Sequence, residues 1–376
     1  MKLQKLILLI ILMNFSGCSA VTKVASVFMS SMGSHPDKEE LKTFTKSSQF
    51  NKEKMRFVNR RPNITSEQPI KKDGFGFSNF IEFLGKGNGR YPDKPLPMLK
   101  PDMDKFLEKS DVVKSIWFGH STVLFNIDSK IVLIDPIFSD SSSPVPIFVK
   151  RFGPTVLTLK ELPKIDYILI SHDHYDHLDM RTIKFFVDKD VKFITPLGVG
   201  SHLKRWGIDR KRVTELDWWQ NVEFDGIKFT ATPAQHFSGR DQAHENTTLW
   251  ASWAVKTRNN NLYFSGDSGY DTHFKEIGQR LGPFDVAFME SGQYNPDWFA
   301  VHLLPDEWPK AYEDINANYY FPIHWGAFSL AFHTWDDPII KLNEFSQQGK
   351  LKLMAPKMGE IVSFDHQEYI TKKWWQ

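Results

Sequence analysis

The chain has 376 residues, 41% of them apolar and 24% charged, which describes a folded protein of one large or two ordinary domains and excludes a disordered one. A net charge of +2 gives no concentrated basic surface of the kind nucleic acid needs. Aromatic content is high at 14%, with 12 Trp and 31 Phe, which suits a large core or a greasy surface.

At the start, Lys2 and Lys5 precede an apolar run over 6–13 that is too short to span a bilayer. Phe15, Ser16, Gly17 and Cys18 follow. This is the shape of a secretory signal, and its end resembles a bacterial lipobox with Phe15 in place of the usual Leu. The resemblance implies a lipoprotein signal peptide over 1–17 and lipidation of Cys18. Ser19 behind it, rather than Asp, resembles outer-membrane sorting. Cys18 is the one cysteine, so the mature chain is expected to hold no disulfide and no thiolate metal site.

Residues 18–50, rich in Ser, Thr, Lys and Met, read as a tether. Residues 51–111, with many Pro and Gly, read as an arm of sparse regular structure, pinned to the body by Phe75, Phe77, Phe80 and Phe83. The compact domain is expected over 112–376. Apolar runs predict strands over 113–118, 123–127 and 131–134, then a long proline-bearing loop over 139–164 and a buried strand over 165–170. Helices are expected over 180–188 and 198–206 around a strand over 191–195. In the second half, strands are expected over 222–224 and 227–231 about an Asp225-Gly226 hairpin turn. Further strands are expected over 248–255, 261–264, 286–289, 319–323, 351–354 and 360–364, with helices over 273–281 and 305–316. Strand groups separated by helices, in two halves, predict an α/β fold of the αββα sandwich type.

The stretch 171–179, Ser-His-Asp-His-Tyr-Asp-His-Leu-Asp, follows the buried strand 165–170. Histidine nitrogen and carboxylate oxygen are ligands of Zn²⁺ and similar divalent metals. His172 and His174 are two apart and share a side of an extended segment. Asp176 and His177 come after the chain has begun to turn, so one loop could serve two metal ions. His236, Asp267 and His324 each stand just past a short apolar strand as well. Strand ends at one sheet edge converge, so these residues can meet.

The segments Gly119-His120-Ser121-Thr122, Asp135-Pro136-Ile137-Phe138, 171–179, Leu216-Asp217-Trp218-Trp219, Pro233-Ala234-Gln235-His236, Gly266-Asp267-Ser268-Gly269-Tyr270, Gly282-Pro283-Phe284-Asp285 and Ile323-His324-Trp325-Gly326 together resemble the metallo-β-lactamase superfamily. Within it the match is to the N-acylphosphatidylethanolamine-hydrolysing phospholipase D family, over about residues 55–363. The His-x-His-x-Asp-His stretch specifies only the superfamily. The Trp-Trp, Ala-Gln-His and Ile-His-Trp-Gly segments point to the family.

The resemblance implies a metallo-β-lactamase-type αββα sandwich and two Zn²⁺ ions. One would be held by His172, His174 and His236, the other by Asp176, His177 and His324, with Asp267 bridging them. His302 matches a family histidine near the substrate phosphate, although residues 299–305 depart from the family pattern. The implied catalytic residues are Asp176, Asp267 and His302. The implied reaction is hydroxide attack on phosphorus, releasing phosphatidic acid and N-acylethanolamine from N-acylphosphatidylethanolamine or a related phospholipid. His120 and Asp135, at strand ends on the same edge, read as groups that orient the ligands. Phe148, Phe152, Trp218, Trp219, Trp298 and Phe299 are candidates for lining a lipid's approach.

The expected setting is the cell envelope, with lipidated Cys18 anchoring the protein to the outer membrane, facing the periplasm, and membrane phospholipid as substrate. Monomer and homodimer both stay open, and the donor set also admits Fe or Mn. Two other functions stay open: a metal-dependent lactonase of the same superfamily acting on a small substrate, and a non-enzymatic outer-membrane lipoprotein scaffold. A tether and the Trp-Trp and Ile-His-Trp-Gly segments weigh against the first. Seven ligand-type residues at strand ends weigh against the second.

Overall fold

The apolar runs of the first half form strands that are buried on both faces. The computed structural model describes residues 26–61, 64, 89–145, 147–365 and 367–376. Cys18 and the arm residues Phe75, Phe77, Phe80 and Phe83 lie outside them. The first elements are α1 (Lys38–Thr43), β1 (Phe50–Asn51), β2 (Arg56–Phe57) and α2 (Met103–Leu107). Next come β3 (Lys114–Trp117), β4 (Val123–Ile127), β5 (Lys130–Ile134), β6 (Tyr167–Leu169), α3 (Met180–Phe185), β7 (Lys192–Pro196), α4 (Gly200–Arg205) and β8 (Val213–Leu216). The second half carries β9 (Asn221–Phe224), β10 (Ile227–Thr232), β11 (Ser252–Lys256), β12 (Asn261–Phe264), α5 (His273–Leu281), β13 (Phe284–Glu290), α6 (Trp308–Ile315), β14 (Ala317–Ile323), α7 (Asp337–Gln347) and β15 (Ile361–Ser363).

Two mixed sheets face each other, one in the order β15-β3-β4-β5-β6-β7-β8 and the other in the order β14-β13-β12-β11-β10-β9. Side chains alternate along each strand, so each sheet has two faces to cover. Val123, Phe125, Ile127, Val132, Ile134 and Leu169 join the layer between the sheets, where the Phe125 and Phe288 rings meet edge-on at 5.2 Å. Leu124, Leu133, Ile168 and Phe193 point the other way and pack with Phe106 of α2, Ile183 of α3 and Leu203 of α4. On the second sheet, Phe274 and Ile277 of α5 and Ala311 and Ile315 of α6 are buried in the same way. The result is the expected αββα sandwich. Asp225 and Gly226 make the β9–β10 turn with positive φ at both residues, as a tight hairpin requires.

Two expectations fail, and two elements go unforeseen, for tertiary reasons. The stretch expected as a tether, 18–50, is folded onto the body in its described part: Asp37 caps α1 in a capping box with Glu40, and Phe44 and Phe50 are buried. Together with Phe57 their rings form an aromatic trio that joins the main core. The expected strand over 351–354 is an isolated bridge between Tyr320 and Leu353. Strand β8 and helix α7 were not anticipated, because β8 is half polar and α7 has only a narrow apolar stripe of Pro338, Ile339 and Leu342.

Phe288 is the keystone of the layer between the sheets, with Phe321 at 4.5 Å and Phe364 at 6.1 Å besides Phe125. Phe288→Ala is expected to cost about 3–5 kcal/mol. Chemical denaturation should show this as a lower midpoint, and an unchanged midpoint would show that this layer does not carry the fold.

Candidate metal centre

The donors leave the two sheets at the C-terminal ends of strands. Asp135 follows β5, residues 172–177 follow β6, His236 follows β10, Asp267 follows β12 and His324 follows β14. After His174 the chain turns: the N–H groups of His177 and Leu178 both donate to the His174 carbonyl, at 3.1 and 2.9 Å. The turn redirects Asp176 and His177. The sheets meet at this edge through one antiparallel bridge, in which His120 N donates to Trp325 O at 2.7 Å and His324 N donates to His120 O at 3.0 Å. His120, Asp135 and His324 all have positive φ, an uncommon backbone for non-glycine residues that collects at functional sites. At Gly266, also with positive φ, a Cβ would stand 2.8 Å from Ser171 Cβ, so glycine is what lets Asp267 approach the stretch after β6.

These residues form two donor sets, each with its ligand atoms within 4.8 Å of one another. In the first, His174 Nδ1 is 2.9 Å from His172 Nε2 and 3.2 Å from His236 Nε2, with Asp267 Oδ2 3.8 and 3.7 Å from those two Nε2 atoms. In the second, Asp176 Oδ2 is 2.9 Å from His120 Nε2, 3.1 Å from His324 Nε2 and 3.4 Å from His177 Nε2. Asp267 reaches this set too, with Oδ1 3.3 Å from His177 Nε2 and Oδ2 3.3 Å from His324 Nε2. The structure therefore brings His172, His174, Asp176, His177, His236, Asp267 and His324 together, with Asp267 between the sets.

The far ring nitrogens of His177 and His236 are held by other groups, which fixes the nitrogens that face the centre. His177 Nδ1 donates to Asp135 Oδ2 at 2.8 Å, and Asp135 also accepts from Ser171 N and Oγ at 2.7 and 2.6 Å. His236 Nδ1 donates to the Val301 carbonyl at 2.9 Å. Two atoms aimed inward, His177 Nε2 and Asp267 Oδ1, are buried without a hydrogen-bond partner among the described residues. Such orphaned groups, in a set made only of imidazole and carboxylate, fit divalent cations.

The electrostatics point the same way. Burial disfavours charge on His324, but Asp267, Asp176 and Glu290 outweigh it and bring its pKa up to about 9. Burial works against the charged His177 as well, and Asp267, Asp176 and Asp135 again outweigh it and hold it well above the usual histidine range. Burial, with His324 alongside, pushes His120 down to about 3. Positive charge on His177 and His324, or a cation in their place, is what balances the buried carboxylates.

His302 stands beside the centre, its ring stacked on His324 at 5.5 Å and edge-on to His236 at 5.1 Å. Its Nδ1 donates to Glu290 Oε2 at 2.8 Å. Glu290, the last residue of β13 and 1% exposed, was missed in the sequence. Its Oε2 is also 3.3 Å from His324 Nδ1, and its Oε1 accepts from Ser268 N and Leu303 N at 2.9 and 3.0 Å. The available signal was a carboxylate ending an apolar strand, the same placement as Asp135. Gln235 fastens the His302 loop by donating from Nε2 to Ala300 O at 2.8 Å.

Of the aromatics expected to line a lipid's approach, Trp218 belongs elsewhere. It is buried in the core, where its Nε1 donates to Trp250 O at 2.7 Å and Trp250 Nε1 in turn donates to Ala234 O at 2.9 Å. It thus braces the Ala-Gln-His segment from behind. Trp219 lies under the Arg280 guanidinium. Trp298 is beside the site, 6.1 Å from the His302 ring, and packs with Ile64, Phe237, Ala300 and Val301. Phe299 next to it is 37% exposed.

Comparison with known proteins places these features in a family. A family profile described as a beta-lactamase superfamily domain matches residues 130–325. The chain is 36% identical over 287 residues to N-acyl-phosphatidylethanolamine-hydrolyzing phospholipase D 1 of Caenorhabditis elegans, covering 72% of this chain and 80% of that one. It is 47% identical over 102 residues to outer membrane protein RomA of Klebsiella pneumoniae, covering 27% of this chain and 76% of that one. Among solved structures it resembles Igni18, a metallo hydrolase of Ignicoccus hospitalis, with a TM-score of 0.53 and 20% identity over 68% of this chain and all of that one.

Asp135 orients His177 without belonging to either donor set. Asp135→Asn is expected to weaken metal binding about 10–100-fold. Metal content measured after dialysis against graded chelator should fall earlier than in the wild type, and coincident curves would remove Asp135 from this role.

Proposed function

Since the chain belongs to the metallo-β-lactamase superfamily, and within it to the N-acyl-phosphatidylethanolamine-hydrolysing phospholipase D family, and is a metal-dependent hydrolase, we propose that it is a binuclear zinc phosphodiesterase. The proposed substrate is N-acylphosphatidylethanolamine or a related membrane phospholipid, and the products are phosphatidic acid and an N-acylethanolamine. The observation that carries this reading is Asp267, one buried carboxylate within 3.3–3.8 Å of imidazole nitrogens from both donor sets.

In this reading His172, His174 and His236 would hold one cation, Asp176, His177 and His324 would hold the other, and Asp267 would serve both. Zinc suits a set rich in imidazole and free of thiolate. Two such ions would supply Lewis acidity to the phosphoryl oxygens and a water acidic enough to ionise near neutral pH. The chain's own residues orient and exclude. Asp135 and the Val301 carbonyl keep the His177 and His236 rings turned inward. The Glu290 carboxylate accepts a hydrogen bond from His302 Nδ1, which leaves Nε2 for the substrate. With a proton on both ring nitrogens, His302 would donate from Nε2 a hydrogen bond to the phosphate, or pass that proton to the departing alkoxide oxygen and remain as the neutral Nδ1–H ring. The apolar group of Trp298, Phe237 and Ile64 beside His302 suits the hydrocarbon of a lipid.

For location we propose the cell envelope, with lipidated Cys18 holding the protein to the outer membrane on its periplasmic side. The Klebsiella relative, an outer membrane protein by name, supports an envelope setting. No helix among the described residues is long and apolar enough to cross a membrane.

The test offers N-acylphosphatidylethanolamine in mixed micelles to the zinc-loaded protein, with mass spectrometry of the products. Phosphatidic acid and free N-acylethanolamine are expected from the wild type, and neither from the Asp176→Asn, His177→Ala double variant. A wild type that carries two metals and leaves the phospholipid intact would sink the reading. His302→Ala should keep both metals and lower turnover about 10²–10⁴-fold, the range of general acid catalysis. Full turnover would strip His302 of its role.

A further inference from the structure

Another group of donors lies where the loop that leaves His236 meets the N-terminal segment, outside both sets around Asp267. The Asp241 carboxylate accepts from His35 Nε2 at 3.0 Å through Oδ2, and from His244 Nδ1 at 2.8 and 2.9 Å through its two oxygens. The two imidazoles stack face to face, with centroids 3.9 Å apart and planes 8° apart. One ligand atom from each of the three residues lies within 4.8 Å of the others. His35 is 206 residues from Asp241 in sequence, so this is a meeting of distant segments rather than a local turn.

The partners suit a cation better than they suit each other. Two parallel imidazoles in contact cannot both carry charge without repulsion. Burial pushes His35 down to about 4, with His202 and His244 acting in the same direction, so it offers a neutral ring nitrogen. Thr247 Oγ1 lies 3.4 Å from His35 Nδ1, a partner for the nitrogen that would not bind metal. Two imidazole nitrogens and one carboxylate favour Zn²⁺, Ni²⁺ or Cu²⁺ over Ca²⁺ or Mg²⁺, which take all-oxygen sites. His244 is half-exposed, which leaves room for water in the remaining position.

The frame around the three residues is rigid. Ser34 N donates to His202 Nδ1 at 3.2 Å, and Asp37 caps α1 two residues after His35. Asp241 Oδ1 also accepts from Ala243 N and His244 N at 2.8 and 3.0 Å, which shapes the loop. Between His236 and Asp241, Gly239 N donates to Asp173 Oδ1 at 2.7 Å. The Arg240 guanidinium donates to Asp173 O and Leu178 O on one side and to Ser31 O on the other. The loop thus touches both the N-terminal segment and the stretch after β6.

We propose that His35, Asp241 and His244 form a further divalent transition-metal site of the zinc type, separate from the centre at Asp267, which clasps the N-terminal segment to the loop leaving His236. Binding there adds stability to the joined state, because the ligands come together only when the segment is docked.

The test is equilibrium dialysis of the full chain against Zn²⁺, with bound metal counted by mass spectrometry. The wild type should bind one more zinc per chain than His244→Ala, and His35→Gln should lose the same one. Limited proteolysis reads the clasp directly: Zn²⁺ should protect the chain near residues 30–37 in the wild type and not in His244→Ala. Thermal unfolding with zinc removed should be alike for wild type and His244→Ala, since the side chain lost is half in solvent. Equal zinc counts in wild type and both variants would overturn the proposal. So would protection by zinc that persists in His244→Ala. Neither readout depends on which phosphodiester or lactone the enzyme cleaves.

Discussion

The placement of the Asp267 carboxylate, 4% exposed and ringed by imidazoles from both sheets, is the constraint around which this molecule is arranged. A buried carboxylate costs several kcal/mol unless matching charge surrounds it. Here the match needs His172 and His177 from the first sheet and His236 and His324 from the second, so the sheet edges must be held in register. The bridge between His120 and the segment His324–Trp325 does this with two backbone hydrogen bonds. The stacked indoles of Trp117 and Trp325, and of Trp325 and Trp374, pack behind it at 5.2 and 5.4 Å. Strained backbone at His120, Asp135 and His324 is tolerated because these neighbours over-determine it.

The parts of this arrangement that were readable in the sequence are those with a local signature. Apolar runs ending in a polar ligand mark strands with donors at their ends, and the turn after His174 is implied by the spacing of 172–177. What was not readable depends on distant partners. Glu290 looks like any single acid until Ser268, Leu303 and His302 close around it. Trp218 looks like a surface aromatic until Trp250 links it to Ala234. The Ser- and Lys-rich stretch up to residue 50 looks like a tether, because its buried rings, Phe44 and Phe50, are spread among polar residues with no period. Backbone strain has no sequence signature at non-glycine positions at all.

The second layer of groups does more than hold the ligands. Gln235 and the Val301 carbonyl fix the loop of His302 to the segment of His236, so the position of His302 and the orientation of the His236 ring share hydrogen bonds. Glu290 accepts from His302 Nδ1 and stands 3.3 Å from His324 Nδ1, which ties His302 to His324 as well. A change at any of these positions therefore moves a member of the donor sets and His302 together, and under the proposed function its effects on metal binding and on turnover are coupled rather than additive.

This coupling bears on the choice between an enzyme and a scaffold. A protein that used the fold only as a platform would gain stability by filling the sheet edge with apolar side chains, since buried ionic groups are often no better than a packed hydrophobic substitute. The chain instead keeps five histidines and two carboxylates there and leaves His177 Nε2 and Asp267 Oδ1 without hydrogen-bond partners among the described residues. It adds Asp135, Glu290 and two carbonyl or amide contacts whose effect is to aim rings rather than to bury area. Aim has value only where a reacting group must be met at a fixed distance. The cost in buried charge is thus intelligible for a metal-dependent catalytic centre.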